Sequence, residues 1–386
     1  MTLSLDIEAP ETLLGVSAAF DGEHLIAGDV EIRGGRVARL GVGAGVGAHI
    51  AAPGFVDLQL NGFSGVDLQT ADAATVRDMA APLTATGVTA YQPTIITAPP
   101  TEMAAALAEL AHIEQGPGLP HVLPAHLEGP FLSPDYRGAH PLEAVATPGL
   151  DLLRELLSAG EVGYVTLAPE LPGALALIEE LRSRNVVVAL GHSNATAEEA
   201  DAGFDAGITA ITHAFNAMRP FHHREPGPVA RALERGDIWI TAIADPVHLH
   251  PTALHLLQCV AGKRFVAISD AMVAAGLDDG QYKFGRLEVT LSGGRALLAD
   301  GRLAGSAATL DASVRELLAL GVPLEASLAA VTSRPASVIG DRELGHLRVG
   351  GPADIVILDA ELHPVTTYIG GVPGGQLQAI QEESIG

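Results

Sequence analysis

Short apolar runs alternate with longer amphipathic segments through most of the chain. Eight of these runs are continuous and often β-branched, as the strands of a buried parallel sheet are. The segments between several of them carry helix signals; Thr196 and Glu199, for example, have the spacing of a capping box at the start of a helix. The eight predicted strands cover residues 55–60, 88–94, 122–128, 164–169, 186–192, 208–213, 239–244 and 265–270.

The order of the predicted elements indicates the fold class. Eight successive strand–helix units predict an α/β protein with a (β/α)8 TIM barrel, which we place in residues 52–348. A doubly wound open sheet would also alternate strands with helices. No Gly-rich dinucleotide fingerprint follows the first predicted strand, however, so the closed barrel is the better interpretation.

The two ends of the chain have a different pattern. Residues 32–40 predict two short strands joined by a turn, and residues 350–358 are strand-like again. We therefore predict that residues 1–51 and 349–386 together form a small β-sandwich domain beside the barrel. After the eighth strand, residues 280–303 predict an insert that contains a hairpin.

Composition limits the classes of partner. Hydrophobic residues make up 48% of the chain and aromatic residues only 4%, so a large core must consist mainly of Ala, Val, Leu and Ile. The 46 acidic and 22 basic residues give a net charge of -24, which repels nucleic acid and anionic membranes at long range. We expect neither of these as a partner. An anionic substrate would need local positive groups.

The cysteine content and the hydropathy profile bear on location. Cys259 is the only cysteine, so an intrachain disulfide is impossible and a reducing compartment fits. The first residues lack the basic start and apolar centre of a signal peptide, and no apolar run has membrane-spanning length. These features predict a soluble protein of the cytoplasm.

Polar, chemically capable residues stand at the ends of four predicted strands. Glu128 ends the third strand, His192 the fifth, His213 the sixth and Asp270 the eighth. Because the C-terminal ends of barrel strands face one mouth, we expect these four side chains to converge there. Two imidazoles and a carboxylate suit zinc or another divalent cation, which can lower the pKa of a bound water towards neutrality.

Each of these residues also has a structural interpretation when it is taken alone. A histidine after an apolar strand can be a hydrogen-bonded core or rim residue. Glu128 could cap a helix or form a salt bridge, and Asp270 could cap the helix that follows it. The set of four favours a metal site, because charged residues are rarely buried unless they are paired or bind a metal.

Six segments carry a family resemblance. Their combination is specific, above all that of HLEGP with GHSNAT and THAFNAM, and they follow one another through the whole barrel. Through them the chain resembles the N-acetylglucosamine-6-phosphate deacetylases of the amidohydrolase superfamily, which also have a small split β-domain. The matching segments are PGFVDLQLNG (53–62), HLEGPF (126–131), LGHSNAT (190–196), THAFNAM (212–218), REPG (224–227) and SDAM (269–272).

The resemblance implies a role for several residues in the hydrolysis of an acetamide. Glu128, His192 and His213 would bind the catalytic metal. Asp270 would take a proton from the attacking water and later give it to the departing amine. His140, in the sequence GAHP, would polarise the carbonyl group; alternatively, it is a solvated loop histidine.

The resemblance also implies a binding site for a sugar phosphate. Asn216, the backbone N–H of Ala217 and Arg224 match the family's phosphate-binding stretch, and His248 matches its sugar-contacting histidine. Arginine can hold a phosphate through two parallel hydrogen bonds. The expected substrate is thus a phosphorylated N-acetyl amino sugar, and the expected assembly is a homodimer, since the family is typically dimeric.

Two of these substrate contacts have alternatives. Arg224 could pair with an acidic surface residue of its own chain, or it could serve the site of a neighbouring subunit. His248 could be a solvated loop histidine. The sequence does not choose between these interpretations.

One departure from the superfamily concerns the metal content. Many amidohydrolases have His-x-His at the end of the first strand for a second metal, whereas this chain has Gln59-Leu60-Asn61. Amides are poor ligands beside imidazoles, and some deacetylases of this family share the Gln-x-Asn sequence and use one metal. We therefore predict one divalent metal per subunit, with zinc favoured over iron, manganese or cobalt.

Two other functions fit parts of the sequence. The chain could be an amidohydrolase for another N-acyl sugar or for an N-acyl amino acid, but Arg224 and the Asn216-Ala217 stretch favour a phosphosugar. It could also be a barrel kept as a non-enzymatic scaffold. That descent usually loses a metal ligand or the catalytic acid, and here all four residues are present.

Overall fold

A ring of eight parallel strands forms the centre of the computed structural model, which describes residues 11–45 and 47–375. We label the strands β1 to β8 in chain order; β3 consists of two short segments. All eight predicted strands are present, which confirms the (β/α)8 barrel. Their bounds are Phe55–Leu60 (β1), Val88–Ile96 (β2), His121–Val122 with Ala125–Glu128 (β3), Val162–Leu167 (β4), Val187–Leu190 (β5), Ala210–Ile211 (β6), Trp239–Ile243 (β7) and Phe265–Ile268 (β8).

The ring closes between β8 and β1. A parallel bridge joins Leu60 to Ala271, and the Asn61 and Gly62 amides donate to the Ala271 carbonyl at 2.8 and 3.2 Å. The buried Asp57 carboxylate accepts the Ser269 backbone N–H at 3.2 Å. This closure places the residues that follow β1 directly beside those that follow β8.

Helices surround the ring. Buried apolar side chains of helices and strands form one large cluster, and a second cluster with small and branched residues such as Val56, Ala90 and Ala189 draws on most of the strands. In the sixth helix below, the predicted capping box of Thr196 and Glu199 is present. The α-helices are Ala73–Asp78, Ala80–Thr84, Pro100–Leu110, Leu150–Ala159, Ala174–Ser183, Ala197–Ala206, Gly227–Glu234, Pro251–Ala261, Leu310–Ala319, Leu324–Ala329 and Ser333–Val338.

Short 3-10 turns and a two-stranded sheet complete the barrel region. The turns are Pro134–Tyr136, Leu142–Ala144 and Gly262–Arg264, and the sheet pairs Gly62–Phe63 with Val66–Asp67. Among the described residues, no helix has both the length and the apolar content needed to cross a membrane.

Both ends of the chain contribute strands to one six-stranded sheet. Ile355–Leu358 pairs antiparallel with Ile50–Pro53, which joins the C-terminal part to the N-terminal part. A three-stranded sheet shares a buried cluster with it; Val30 and Val37 of the smaller sheet are in that cluster together with Ala51 and Ile355. This is the predicted β-sandwich. The other strands are Ala18–Phe20, Leu25–Ala27, Pro364–Ile369 and Val372–Pro373 in the larger sheet, and Glu11–Leu13, Asp29–Arg33 and Arg36–Val42 in the smaller.

The predicted domain limits, residues 1–51 and 349–386 around a barrel of residues 52–348, stay a prediction. The parts of that prediction in residues 1–10, at residue 46 and in residues 376–386 lie outside the described residues.

The predicted insert after β8 is a three-stranded antiparallel sheet. Its hairpin of Leu287–Ser292 and Arg295–Leu297 was predicted, and Gly280–Phe284 pairs with the outer side of that hairpin. Buried residues of the insert, including Phe284, share a cluster with Met272 next to β8. The insert therefore packs beside the C-terminal ends of the barrel strands, and its last residues reach the mouth of the barrel.

Candidate active site

A cavity of about 550 Å³ opens at the C-terminal ends of the barrel strands. The four predicted strand-end residues line it. Four predicted loop residues line it as well: His140, Asn216, Ala217 and His248. Of the nine predicted site residues, all of which the structure describes, Arg224 is the one that is absent from the cavity wall. Residues that are distant in sequence thus meet in one place.

Three ligand atoms converge on the floor of this cavity. Glu128 Oε1 lies 3.1 Å from His192 Nε2 and 2.9 Å from His213 Nε2, and the two imidazole nitrogens are 3.1 Å apart. Burial acts to raise the pKa of Glu128, but the close contacts of its carboxylate with the two imidazoles hold it well below its usual range. The carboxylate is therefore ionised, and the set consists of one oxygen and two nitrogens.

We had predicted that His192, His213 and Asp270 are the last residues of their strands. In the structure, all three lie beyond the ends of those strands. The ladders of β5, β6 and β8 end two residues before His192, His213 and Asp270, respectively. These residues have φ angles of 49°, 30° and 49°, in the left-handed region. This conformation costs a non-glycine residue roughly 1–2 kcal/mol. It ends the strand early and persists only where the surroundings fix it, as they often do at functional sites.

The hydrogen bonds of His192 define which of its nitrogens can bind a metal. Its Nδ1 lies 3.1 Å from the Tyr136 carbonyl oxygen, which can only accept, so Nδ1 carries the proton. Nε2 then directs a lone pair towards the ionised Glu128 carboxylate. A cation held between these two acceptors would offset their repulsion. The donor set suits a divalent cation such as zinc, so the residues present fit a metal.

His140 lies in the same cluster but has the opposite tautomer. Its Nε2 is 3.7 Å from Glu128 Oε2, and ligand atoms of Glu128, His140 and His192 lie within 4.8 Å of one another. Its Nδ1, however, accepts the Thr97 backbone N–H at 3.2 Å, so Nε2 carries the proton and has no lone pair. Burial lowers the pKa of His140 to about 3, and His192 adds to this shift. His140 therefore presents a neutral N–H donor to the cavity.

Asp270 is held by two amide side chains at the C-terminal end of β1, Gln59 within the strand and Asn61 directly after it. Its Oδ1 accepts Gln59 Nε2 at 3.0 Å and Asn61 Nδ2 at 2.8 Å, and Gln59 Nε2 also lies 2.9 Å from Glu128 Oε1. Burial raises the pKa of Asp270 to about 7, and the charge of Glu128 adds to the shift. A bound cation would lower this pKa. Asp270 can thus exchange a proton near neutral pH.

The predicted sugar contact, His248, is fixed by a neighbouring carboxylate. Its Nδ1 lies 2.9 Å from Asp245 Oδ2, and its backbone N–H donates to Asp245 Oδ1 at 2.7 Å. The proton on Nδ1 leaves Nε2 as an acceptor. The Asn216 side chain donates to the His213 carbonyl at 3.3 Å. Within residues 11–45 and 47–375, the Ala217 N–H has no protein acceptor and is free to bind a ligand.

The positive groups of the cavity wall differ from the predicted one. Arg224 is exposed, and its guanidinium lies 2.9 Å from the His223 ring. Arg137 and Arg302 line the cavity instead. Arg137 donates to the His140 carbonyl at 2.9 Å, and Arg302 donates to the Gly138 carbonyl. Sequence reasoning missed both residues, because their positions depend on the paths of two loops and on no strand.

Sequence reasoning also missed Glu170, although a signal was present. This residue lies three positions after the end of β4, and its carboxylate accepts Ser193 Oγ at 2.7 Å and the Asn194 N–H at 2.6 Å. The predicted fourth strand ends at residue 169, so a search for polar residues one position beyond each predicted strand would have identified Glu170.

The sequence and the fold are similar to those of known hydrolases. Residues 50–381 match the sequence profile of the "Amidohydrolase family". The chain is 40% identical over 331 residues to an N-acetylgalactosamine-6-phosphate deacetylase of Escherichia coli O157:H7, with 84% of this chain and 87% of the relative covered. It is 39% identical over 337 residues to an N-acetylglucosamine-6-phosphate deacetylase of Danio rerio, with 83% of each chain covered.

A solved structure is similar over nearly the whole chain. It is that of a mutant N-acetyl-D-glucosamine-6-phosphate deacetylase from Mycobacterium smegmatis, in complex with N-acetyl-D-glucosamine-6-phosphate. The TM-score is 0.88 at 33% sequence identity, with 94% of this chain and 99% of that chain covered.

Proposed function

This chain belongs to the amidohydrolase family, and we propose that it hydrolyses the acetamide of N-acetyl-D-glucosamine 6-phosphate to D-glucosamine 6-phosphate and acetate, a reaction of amino-sugar metabolism. The observation that carries the proposal is the convergence of His192 Nε2, His213 Nε2 and Glu128 Oε1 within 3.1 Å of one another, with Asp270 beside them. The names of the similar proteins supply the substrate class.

Glu128, His192 and His213 would hold one divalent cation. When bound, such a cation supplies Lewis acidity, which acidifies water and polarises a carbonyl group. Zinc is the favoured ion for two imidazoles and one carboxylate, with iron, manganese and cobalt as the other candidates. The single-metal proposal is supported by Gln59 and Asn61, whose side chains donate hydrogen bonds to Asp270 instead of offering ligands.

Asp270 would move the proton. Both amide donors bind its Oδ1, which leaves Oδ2 to take a proton from the water that attacks the acetamide carbon. When the bond between carbon and nitrogen breaks, the same oxygen gives that proton to the departing amine. One carboxylate thus serves as base and then as acid. His140 would donate a hydrogen bond from its neutral Nε2–H to the carbonyl oxygen as negative charge develops there.

The substrate phosphate would be bound by Asn216, the Ala217 N–H and Arg224, with His248 at the sugar. Arg224 is exposed and does not line the cavity of its own chain, and Phe221 beside it has 60% of its surface exposed. We therefore propose that the protein is a homodimer in which Arg224 serves the partner's cavity. A location in the cytoplasm is supported by the single free cysteine, Cys259.

A second substrate is favoured by one observation. The bacterial relative, an N-acetylgalactosamine-6-phosphate deacetylase, is 40% identical in sequence to this chain. The N-acetylglucosamine-6-phosphate deacetylase of Danio rerio is 39% identical, so sequence identity does not separate the two substrates. The two sugars differ only in the orientation of one hydroxyl group. Activity on N-acetylgalactosamine 6-phosphate is therefore the second candidate function.

The test is acetate release by the purified protein from both phosphorylated sugars and from free N-acetylglucosamine. We expect rapid release from N-acetylglucosamine 6-phosphate, loss of activity after treatment with a chelator, and recovery on adding a divalent cation. Absence of acetate from both phosphorylated sugars in the metal-loaded protein would refute the proposal. Faster release from the galactose epimer would favour the second candidate.

A further inference from the structure

Glu170 occupies a position at the cavity end of the barrel to which the mechanism above gives no role. It follows β4, in the turn before the helix Ala174–Ser183. Its neighbours in the ring are β3, which carries Glu128, and β5, which precedes His192. The carboxylate therefore lies between the strands that bring two of the proposed metal ligands together.

Both oxygens of the Glu170 carboxylate hold the turn that follows His192. Oε2 accepts the Ser193 hydroxyl at 2.7 Å, and Oε1 accepts the Asn194 backbone N–H at 2.6 Å. Ser193 Oγ in turn accepts the Ala195 N–H at 3.0 Å. Charge-assisted hydrogen bonds of this length are roughly twice as strong as neutral ones. A glutamine could not reproduce them, because only one of its two terminal groups can accept.

The turn held by Glu170 also connects the proposed metal site to the proposed phosphate-binding stretch. The Ser193 N–H donates to the Ala217 carbonyl at 3.2 Å, and the Arg219 N–H donates to the Ser193 carbonyl at 2.9 Å. His192, directly before this turn, has the left-handed φ angle of 49°. Such a conformation persists only when the surroundings fix it, and Glu170 supplies two of the hydrogen bonds that do so.

We propose that Glu170 is a positioning residue, which fixes His192 for metal binding and aligns Ala217 with the substrate. This inference rests on the proposed metal-dependent hydrolysis. Groups that orient a ligand from behind typically contribute 10- to 100-fold to metal affinity or activity. Glu170 touches neither the metal position nor the cavity wall, so its effect must pass through the turn at Ser193 and Asn194.

The test compares the metal affinity of Glu170→Ala with that of the wild type and of Thr196→Ala. Thr196 caps the next helix, so the control perturbs the same stretch of chain without touching the carboxylate. Zinc affinity is measured by competition with a chromophoric chelator, and thermal unfolding and the kinetics of acetate release are measured in parallel. We expect about 10-fold weaker zinc binding for Glu170→Ala and no change for the control.

Two further variants keep the test decisive. Glu170→Gln retains the side-chain volume, so it replaces Glu170→Ala in the test if the alanine variant does not fold. If Glu170→Gln bound zinc as tightly as Thr196→Ala does, the inference would be overturned. Ser193→Ala removes the hydroxyl that bridges Glu170 and the Ala195 N–H. If Glu170 acts through this hydroxyl, the losses of zinc affinity in Ser193→Ala and Glu170→Gln should not add in the double variant, whereas full additivity would contradict an effect that passes through Ser193. If the wild type itself bound no zinc and released no acetate, the proposed function would fail instead.

Discussion

The floor and the rim of the cavity are built by different means. The floor consists of Gln59, Asn61, Glu128, His192, His213 and Asp270, which are all at least 92% buried. The rim consists of Arg137, Gly138, Asp300 and Arg302, which are half-buried or exposed. Floor residues lie at the C-terminal ends of barrel strands or within two residues of them, whereas rim residues come from loops and from the insert after β8.

The contrast extends to how each side chain is held. On the floor, Gln59 Nε2 alone bridges two carboxylates at 2.9 and 3.0 Å, and every one of these contacts is between side chains from different strands. At the rim, Arg137 and Arg302 donate to loop carbonyls, and Arg302 also pairs with Asp300 two residues away. A rigid strand framework therefore suits the reacting groups, and adjustable loops suit the selection of the substrate.

The largest expected effect concerns the proton carrier on the floor. Asp270→Asn keeps the size of the side chain and an acceptor for Gln59 and Asn61, but it cannot take a proton. We expect kcat to fall by roughly 10²- to 10⁴-fold, the usual contribution of general acid–base catalysis. Initial rates of acetate release from N-acetylglucosamine 6-phosphate measure this loss.

Asp205→Asn is the matched control, because it removes the same charge from the exposed side of a helix on the outside of the barrel. Its rate should equal that of the wild type. If Asp270→Asn kept a kcat within about tenfold of the wild type while binding the metal normally, Asp270 would not be the proton carrier.

The floor was largely predictable because a barrel converts strand order into geometry. Continuous apolar runs located β1 to β8, and the residues at the ends of four of them do meet. The strand bounds were less accurate: the run 122–128 is interrupted around Pro124, which lacks the N–H of a ladder. Left-handed backbone ends β5 before His192, and a hydrophobic pattern carries no information about that turn.

Other features needed coordinates. The sequence identified Gln59 and Asn61 only as residues that are not metal ligands; their hydrogen bonds to Asp270 depend on the closure between β8 and β1. The tautomer of His140 depends on the Thr97 N–H, and Thr97 directly follows β2. The rim arginines that line the cavity, Arg137 and Arg302, approach each other only through the fold of the insert.

The second prediction concerns Arg224, which does not line the cavity of its own chain. Arg224→Ala should lower kcat/KM for N-acetylglucosamine 6-phosphate by roughly 10- to 100-fold, because a charge-assisted contact to phosphate is worth about 1.5–3 kcal/mol. Free N-acetylglucosamine should lose little. Equal losses for both sugars would indicate an amidohydrolase for another N-acyl substrate.

Mixing variants distinguishes the origin of this arginine. If Arg224 serves the partner's cavity, a mixed dimer of Arg224→Ala and Asp270→Asn subunits contains one cavity with both groups intact. Activity should then return when the two inactive proteins are unfolded together and refolded. No recovery from a verified mixed dimer would place Arg224 at its own cavity.

The third prediction returns to the floor, where Gln59 holds two carboxylates side by side. Gln59→Leu removes both hydrogen bonds at similar volume, and we expect about tenfold weaker metal binding because Glu128 loses its orientation. Competition with a chelator measures the affinity. Gln92→Leu is the matched control: Gln92 is a buried barrel glutamine that donates to the Pro124 carbonyl, away from the metal ligands. An equal loss in both variants would indicate a general effect on barrel stability.

The smallest expected effect concerns the contact between the insert and the loop that carries His140. Arg302 donates to the Gly138 carbonyl, and a methyl group on Gly138 would come within 3.1 Å of the His192 ring, so this loop has little freedom next to the metal ligand. A part-exposed contact of this kind is worth about 1 kcal/mol, so Arg302→Ala should lower kcat/KM by about fivefold. Arg286→Ala is the control, since Arg286 lies in the same insert but pairs with Glu102 outside the cavity. An unchanged kcat/KM in Arg302→Ala would mean that the insert covers the floor of the cavity without positioning the floor residues. A loss as large as that of Asp270→Asn would mean that floor and rim residues contribute equally, and the distinction between them would fall.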